Sequence, residues 1–114
     1  MRKNSIYIHF PYCLRKCNYC DFVSFPCGEN VPDLMEYYLK EIELYQQKFG
    51  RKKISSIYFG GGTPSLMSSD VIEAIIEKIY RLYDVDDDVE ITLEVNPKTV
   101  SDKKLSEFYK VGIN

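Results

Sequence analysis

Residues 6–20 read IYIHFPYCLRKCNYC, an apolar run that ends at a proline and passes into three closely spaced cysteines. The apolar run predicts a parallel β-strand covered on both sides, because the residues on both of its alternating faces are largely apolar. Pro11 ends the strand, since proline has no backbone N–H to donate to a neighbouring strand. The sequence therefore predicts a strand that delivers a cysteine-rich loop at its carboxyl end.

The spacing of Cys13, Cys17 and Cys20 predicts a metal or iron–sulfur site, because thiolates this close on one loop can turn toward one centre. Disulfides are a poor alternative, since the three cysteines cannot all pair and nothing indicates secretion. A four-iron cluster would still need a fourth ligand from another residue, water or a small molecule. We interpret Cys27, the only other cysteine, as a free loop thiol. A zinc site completed by His9 or Cys27 stays open, as do free thiols.

The composition limits the chain to a small domain without a basic surface. It has 114 residues and a net charge of −2, with acidic and basic residues interspersed. This distribution provides no electrostatic footprint for nucleic acid. We find neither a signal peptide nor an apolar stretch long enough to span a bilayer. We therefore expect a cytoplasmic protein with no transmembrane segment, whose cysteines are reduced.

Strand and helix patterns alternate along the chain, with a fourth strand expected to begin at Ile113. The predicted strands are 6–10, 54–59 and 89–95. The predicted helices start within 30–33, near Ser68 and at Ser101. The apolar face expected on the first helix consists of Leu34, Tyr38, Ile42, Tyr45 and Phe49. This order predicts an α/β fold with a parallel sheet and right-handed crossovers.

Two further features follow predicted strands. Residues 60–64 read GGGTP, which breaks the second strand and offers bare backbone plus a hydroxyl to the amino or carboxylate group of a ligand. The stretch lacks the P-loop pattern, and glycines also simply make turns. Glu94 is a candidate acceptor for an ammonium or hydroxyl group, or else a solvated strand-end carboxylate. Because carboxyl ends of parallel strands share one edge, we expect these features and the cysteines to converge there.

Together these motifs resemble the radical S-adenosylmethionine (radical SAM) superfamily, with Cys-x3-Cys-x2-Cys after the first strand and Gly-Gly-Thr-Pro after the second. Longer strings are similar to the oxygen-independent coproporphyrinogen III oxidase group and its heme chaperone branch: YIHFPYC at 7–13, CNYCDF at 17–22, YFGGGTPSL at 58–66 and EVNP at 94–97. The resemblance runs from Ser5 to Asn114. It implies the first half, about three βα units, of a partial (β/α)6 TIM-like barrel. Residues 1–114 would form the N-terminal part of that core domain, with the remainder of the barrel and a C-terminal domain absent.

The resemblance also implies a [4Fe–4S] cluster and S-adenosylmethionine. Cys13, Cys17 and Cys20 would hold three irons, and S-adenosylmethionine would chelate the fourth through its amino and carboxylate groups. The positions expected to contact S-adenosylmethionine are Tyr7, Tyr19, Gly61, Gly62, Thr63 and Glu94. In this family an electron donor reduces the sulfonium to generate a 5′-deoxyadenosyl radical, so an unidentified donor is an expected partner.

Phe22 bears on the activity that the resemblance implies. The oxidases carry a fourth motif cysteine two residues after the third, and this chain has Phe22 there. We therefore expect a heme chaperone-like protein that binds and transfers heme. The alternatives are a coproporphyrinogen III oxidase or other radical SAM enzyme, with a porphyrinogen as partner, and a zinc-binding interaction module.

Overall fold

A computed structural model of the chain describes residues 4–13, 25–26, 34–95 and 100–114. Its strands are β1 (Asn4–Phe10), β2 (Tyr12–Cys13), β3 (Phe25–Pro26), β4 (Lys53–Gly61) and β5 (Asp84–Leu93). Its helices are α1 (Met35–Phe49), α2 (Ser69–Leu82) and α3 (Asp102–Lys110), with a short 3-10 helix at Pro64–Leu66. The alternation of strands and helices confirms the predicted α/β class.

The main sheet contains β1, β4 and β5 in that spatial order, and both neighbouring pairs are parallel. Each parallel connection passes through a helix, which confirms the predicted βα arrangement. The two-residue strands β2 and β3 form a separate parallel pair. The sequence did not predict this pair, because two residues are too few to display a strand period.

The glycine stretch does not end β4 where the sequence predicted. The strand continues through Gly60 and Gly61, which pair with His9 and Phe10 of β1. Glycine weakens a strand, but here the neighbouring strand supplies enough pairing to extend it. The break falls after Gly61, whose φ of 109° is favourable only for glycine.

Strand β5 begins earlier than predicted and ends slightly sooner. It starts at Asp84, because Asp84 and Val85 already pair with the beginning of β4, and it ends at Leu93. Glu94 therefore lies immediately past the strand rather than inside it. At the other edge of β5, the backbone N–H of Asn114 donates to the Ile91 carbonyl at 2.9 Å. Asn114 thus lies beside β5, but the structure assigns no strand at Ile113, where the sequence predicted a fourth strand to begin.

The starts of α2 and α3 agree with their predicted caps. The Ser68 hydroxyl accepts a hydrogen bond from the Val71 N–H at 3.3 Å, and the Ser101 hydroxyl accepts from the Lys104 N–H at 3.2 Å. Each serine satisfies an N–H that has no partner within the helix. The predicted start of the first helix, within 30–33, lies outside the described residues.

One face of the main sheet is buried against the helices. Its apolar core draws on all three strands and all three helices, including Ile8, Phe10, Ile57, Phe59, Ile91, Leu93, Ile42, Ile72, Ile75, Ile79 and Phe108. The opposite face carries Tyr7, which is 57% exposed, and Tyr58, which is 39% exposed. The expectation that β1 is covered on both sides is therefore wrong within the described structure.

Helix α1 is less buried than its pattern predicted. Ile42 is its only buried described residue, and Tyr45 and Phe49 are about half exposed, stacked on each other with ring centroids 5.9 Å apart. Both rings border a groove of about 650 Å³ between α1 and the outer edge of β1. No helix among the described residues is long and apolar enough to cross a membrane.

Candidate functional site

The carboxyl ends of the three main strands are tied together by hydrogen bonds. The Gly62 N–H donates to the Phe10 carbonyl at 2.7 Å, which joins the loop after β4 to the end of β1. The Glu94 N–H donates to the Phe59 carbonyl at 3.1 Å, which joins the residue after β5 to β4. We call this edge the rim. Cys13 belongs to it through its backbone, because β2 follows β1 after a single proline.

The Glu94 carboxylate lies across the rim rather than pointing freely into solvent. Its Oε1 accepts a hydrogen bond from the Gly61 N–H at 3.0 Å. The Tyr58 ring lies beside the same carboxylate, since both are within 3 Å of the position that a Cβ at Gly60 would take. The hydrogen bond from Gly61 restrains the carboxylate, and its remaining lone pairs can accept from a ligand.

Gly60 and Gly61 are required for different reasons. A Cβ at Gly60 would lie 2.6 Å from Glu94 Oε1, 2.8 Å from Cε1 of Tyr58 and 2.9 Å from Cε2 of Tyr7. A Cβ at Gly61 would lie 2.6 Å from Nδ1 of His9, and the positive φ there already disfavours other residues. The absence of a side chain at Gly60 thus leaves room for the three side chains that meet there, and Gly61 makes the turn beside it.

Two tyrosines from neighbouring strands pack beside Gly60. Tyr7 of β1 is paired in register with Tyr58 of β4, and their rings stack with centroids 5.9 Å apart and planes 18° apart. The Tyr7 hydroxyl also lies 3.3 Å from Nδ1 of His9. These contacts connect the end of β1 to Glu94 through a row of aromatic side chains.

Both phenols are kept protonated by their surroundings. Partial burial raises the pKa of Tyr58, and the nearby Glu94 and Tyr7 raise it further. Burial, followed by the charge of Glu94, raises the pKa of Tyr7. The two hydroxyls therefore remain hydrogen-bond donors at neutral pH and into the alkaline range.

Five of the residues expected to contact a cofactor lie at the rim in the described structure: Tyr7, Gly61, Gly62, Thr63 and Glu94. The amides of Gly61 and Gly62 already donate within the protein. Thr63 is buried, and its carbonyl accepts from the Leu66 N–H at 3.0 Å. The glycine stretch therefore offers a ligand close approach to the backbone, while Glu94 offers an acceptor suited to an ammonium group.

The remaining predicted site residues cannot be compared with the structure. Cys17, Tyr19 and Cys20 lie outside the described residues, as do Phe22, Cys27 and the side chain of Cys13. Among the side chains that are described, no group of three His, Cys, Asp or Glu residues could hold a metal ion. The cysteine ligand set stays a prediction from the sequence.

Sequence reasoning missed Tyr58 as a member of the site, and it included Gly60 only as part of the glycine stretch. Tyr58 and Gly60 are two residues apart along β4, so they lie on the same face of the strand. Their position opposite Tyr7 and His9 follows from the pairing of β4 with β1. The alternation of side chains along β4 could have placed Tyr58 on the same face as Gly60. Its contact with Tyr7, however, depends on the register between β4 and β1.

Known proteins resemble this chain over almost its whole length. The radical SAM superfamily model matches residues 7–114. Heme chaperone HemW of Buchnera aphidicola subsp. Schizaphis graminum is 38% identical over 96% of this chain and 30% of that protein. The mitochondrial radical S-adenosyl methionine domain-containing protein 1 of Danio rerio is 38% identical over 96% of this chain and 25% of its own length.

A solved structure shares the fold. The coproporphyrinogen III oxidase HemN from Escherichia coli, a radical SAM enzyme, matches with a TM-score of 0.82 and 22% identity, over 96% of this chain and 26% of that chain. This chain therefore spans under a third of the length of each of these relatives. Because the family model covers all but its first six residues, the chain belongs to the radical SAM superfamily, whose members use a [4Fe–4S] cluster and S-adenosylmethionine.

Proposed function

We propose that the rim binds a [4Fe–4S] cluster and S-adenosylmethionine, and that the protein acts as a heme chaperone-like protein. Cys13, Cys17 and Cys20 would hold the cluster, which leaves one iron for S-adenosylmethionine. The contacts to S-adenosylmethionine would come from Tyr7, Tyr19, Gly61, Gly62, Thr63 and Glu94. The observation that carries the proposal is the convergence of the Cys13 backbone, the glycine stretch and Glu94 on one edge of the sheet.

The described residues fit such a cofactor. An ammonium group requires acceptors, and the Glu94 carboxylate is exposed at the rim with the Gly61 N–H already restraining it. An adenosine moiety requires a flat, partly apolar surface, and the stacked Tyr7 and Tyr58 rings offer one. When bound, the cluster and S-adenosylmethionine supply one-electron chemistry, while the protein orients the ligand and holds its charged groups.

The heme assignment draws on the relatives and on Phe22. Two bacterial relatives that are each 38% identical to this chain are named heme chaperones, whereas the oxidase that shares the fold is 22% identical. Phe22 stands where the oxidases have a further motif cysteine. Superfamily membership also favours a cluster over the zinc-binding module. We extend the proposal to heme as cargo, a separate electron donor, a cytoplasmic location and no nucleic-acid ligand.

We also propose that residues 1–114 correspond to the N-terminal part of a radical SAM core domain. The family match over residues 7–114 and the 30% coverage of the HemW relative support this assignment. A domain of this kind would include the strands that follow β5 in the sheet. Expression of the longer open reading frame, where one is present, would test it.

The cluster assignment is tested by anaerobic reconstitution with iron and sulfide. We expect about one four-iron cluster per chain. Cys13→Ala, Cys17→Ala and Cys20→Ala should each abolish it, and Cys27→Ala is the matched control that should retain it. Iron counts and visible absorbance are the measurements. A colourless protein that retains zinc instead would support the zinc-binding module, and loss of the cluster in Cys27→Ala would mean that the ligand set is wrong.

The heme assignment needs a separate titration. Adding heme to the cluster-loaded protein should shift the Soret band, and incubation with coproporphyrinogen should release no decarboxylated product. Efficient formation of vinyl groups from coproporphyrinogen would instead assign the protein to the oxidases.

A further inference from the structure

His9 lies near the carboxyl end of β1, where its side chain meets both the glycine stretch and Tyr7. It follows Tyr7 by two residues, so the two side chains lie on the same face of the strand. Its register partner on β4 is Gly60, which places its side chain beside the turn at Gly61. The proposed contacts to S-adenosylmethionine do not include His9, so its place at the rim calls for a separate explanation.

The imidazole ring of His9 occupies the space that a side chain at position 61 would need. A Cβ at Gly61 would lie 2.6 Å from Nδ1 and 2.7 Å from Cε1 of His9. The ring therefore packs against the side of Gly61 where other residues carry their Cβ. Glycine is required at this position by the His9 ring as well as by the φ of 109°.

The backbone around His9 is also held. The Tyr38 hydroxyl of α1 donates a hydrogen bond to the His9 carbonyl at 2.7 Å. The next residue, Phe10, is fully buried in the core, and its carbonyl accepts from the Gly62 N–H at 2.7 Å. The position of the His9 ring is therefore fixed by α1, by β4 and by the core before any ligand arrives.

The fixed ring contacts the Tyr7 hydroxyl, which has little packing of its own. Tyr7 is 57% exposed, and its hydroxyl lies 3.3 Å from Nδ1 of His9, within hydrogen-bond distance. A hydroxyl has one hydrogen and two lone pairs, so it can keep this bond and still bind a ligand group. Holding the hydroxyl beforehand reduces the entropy that a ligand would lose by ordering it.

We propose that His9 is a positioning residue, which holds the Tyr7 hydroxyl at the rim where that hydroxyl can hydrogen-bond to S-adenosylmethionine. This inference rests on the proposed function, since Tyr7 is one of the residues expected to contact S-adenosylmethionine. His9 acts through Tyr7 and not on the ligand itself. Its contribution to affinity should therefore vanish when the Tyr7 hydroxyl is removed.

The first test uses the full chain without added cofactor. Because His9 is the only histidine, nitrogen-15 labelling of histidine gives a single ring in the NMR spectrum. Tyr7→Phe removes the hydroxyl and keeps the ring, so we expect the Nδ1 resonance of His9 to shift, as it does when a hydrogen bond to that nitrogen is lost. Tyr37→Phe, on the exposed surface of α1, is the matched control and should leave the spectrum unchanged. An Nδ1 resonance that is the same in both variants would overturn the inference.

The second test measures the S-adenosylmethionine affinity of the cluster-loaded protein by calorimetry. His9→Leu should weaken binding about three- to tenfold, the effect of losing part of one hydrogen bond. His9→Asn places a hydrogen-bonding atom near the position of Nδ1, so its affinity should stay within about twofold of wild type. In a Tyr7→Phe background, His9→Leu should have less than about a twofold further effect, as a coupled pair requires.

Iron counts on each variant separate a role in positioning from a role in holding the cluster. His9→Leu should retain the wild-type iron content, and loss of iron would overturn the inference, because His9 would then support the cluster. Wild-type affinity in His9→Leu would also overturn it, and so would an undiminished effect in the Tyr7→Phe background. Wild-type affinity in both Glu94→Ala and Tyr7→Phe would instead contradict the proposed function, on which the inference rests.

Discussion

The two faces of the same three strands differ in what they contribute. The face toward the helices carries Phe59 and Ile57, which are both fully buried, whereas the opposite face carries Tyr58 between them, which is partly exposed. Because side chains alternate along a strand, neighbours in sequence belong to different environments. The comparison indicates that stability resides mainly on the helix-covered face, whereas the proposed ligand site lies on the open face and its rim.

The energetic reason lies in what each face removes from water. Burying apolar area is favourable by about 25 cal/mol per Å², and the helix-covered face supplies nearly all of the buried apolar side chains. The open face keeps hydroxyls and a carboxylate near solvent, where hydrogen bonds add little net stability. Side chains on the open face can therefore bind a ligand at little cost to the stability of the fold.

The largest expected effect is on the helix-covered face. Phe59→Ala should lower the free energy of unfolding by about 3–5 kcal/mol, because it removes a fully buried ring and leaves a cavity in the helix-covered core. Its neighbour Tyr58→Ala should cost about 1 kcal/mol, since that ring is partly exposed. Urea denaturation of both variants measures the difference. Similar losses would mean that the open face also carries core packing.

The second prediction concerns the open face, where we expect a substitution to change ligand binding rather than stability. Glu94→Ala should weaken S-adenosylmethionine binding on the order of ten- to a hundredfold, since a hydrogen bond to a charged group contributes roughly 1.5–3 kcal/mol. The unfolding free energy should change by less than about 0.5 kcal/mol, as for other exposed positions.

Glu90→Ala is the matched control for that experiment. Glu90 is exposed on β5, four residues before Glu94 and therefore roughly 13 Å farther from the rim along the direction of the strand. Calorimetry on the cluster-loaded protein should give wild-type affinity for Glu90→Ala. Equal weakening in both variants would indicate a general effect of charge on the open face rather than a site at the rim.

Much of the fold could be predicted because its signals are local. Ser68 and Ser101 cap their helices as expected, and the sheet is parallel, as the alternation of strand and helix patterns predicted. The strand ends were less predictable, because β4 extends through Gly61 only by pairing with β1, about fifty residues earlier. Such a partner cannot be seen in a short window of sequence.

The open face escaped prediction for a related reason. Tyrosine is amphipathic, so Tyr7 was counted among the apolar residues of β1 although its ring proves mostly exposed. The cysteines, glycines and Glu94 could be identified from residue type and from their places after strands. Tyr58 could not, because its part in the site depends on the register that sets it beside Tyr7.

The smallest expected effect concerns the titration of one tyrosine in each environment. Tyr83 lies in the helix-covered core, its hydroxyl donates to the Ile42 carbonyl at 3.2 Å, and burial alone raises its pKa. At Tyr58, burial and Glu94 together raise the pKa. A tyrosine with a raised pKa in the folded chain contributes stability that is fully present below about pH 10 and is lost as the pH rises through the folded-state value.

Glu94→Ala should therefore lower the pKa of Tyr58 and leave that of Tyr83 unchanged. The part of the stability that Glu94 gives the protonated Tyr58 would then be missing, so the variant should lose less stability as the pH rises above about 10. An NMR titration of labelled tyrosines measures both phenols in one sample, and denaturation at a series of alkaline pH values measures the stability. A Tyr58 pKa that does not respond to Glu94→Ala would mean that the carboxylate does not act on the Tyr58 hydroxyl in solution, and Tyr58 would then differ from Tyr83 only in its burial.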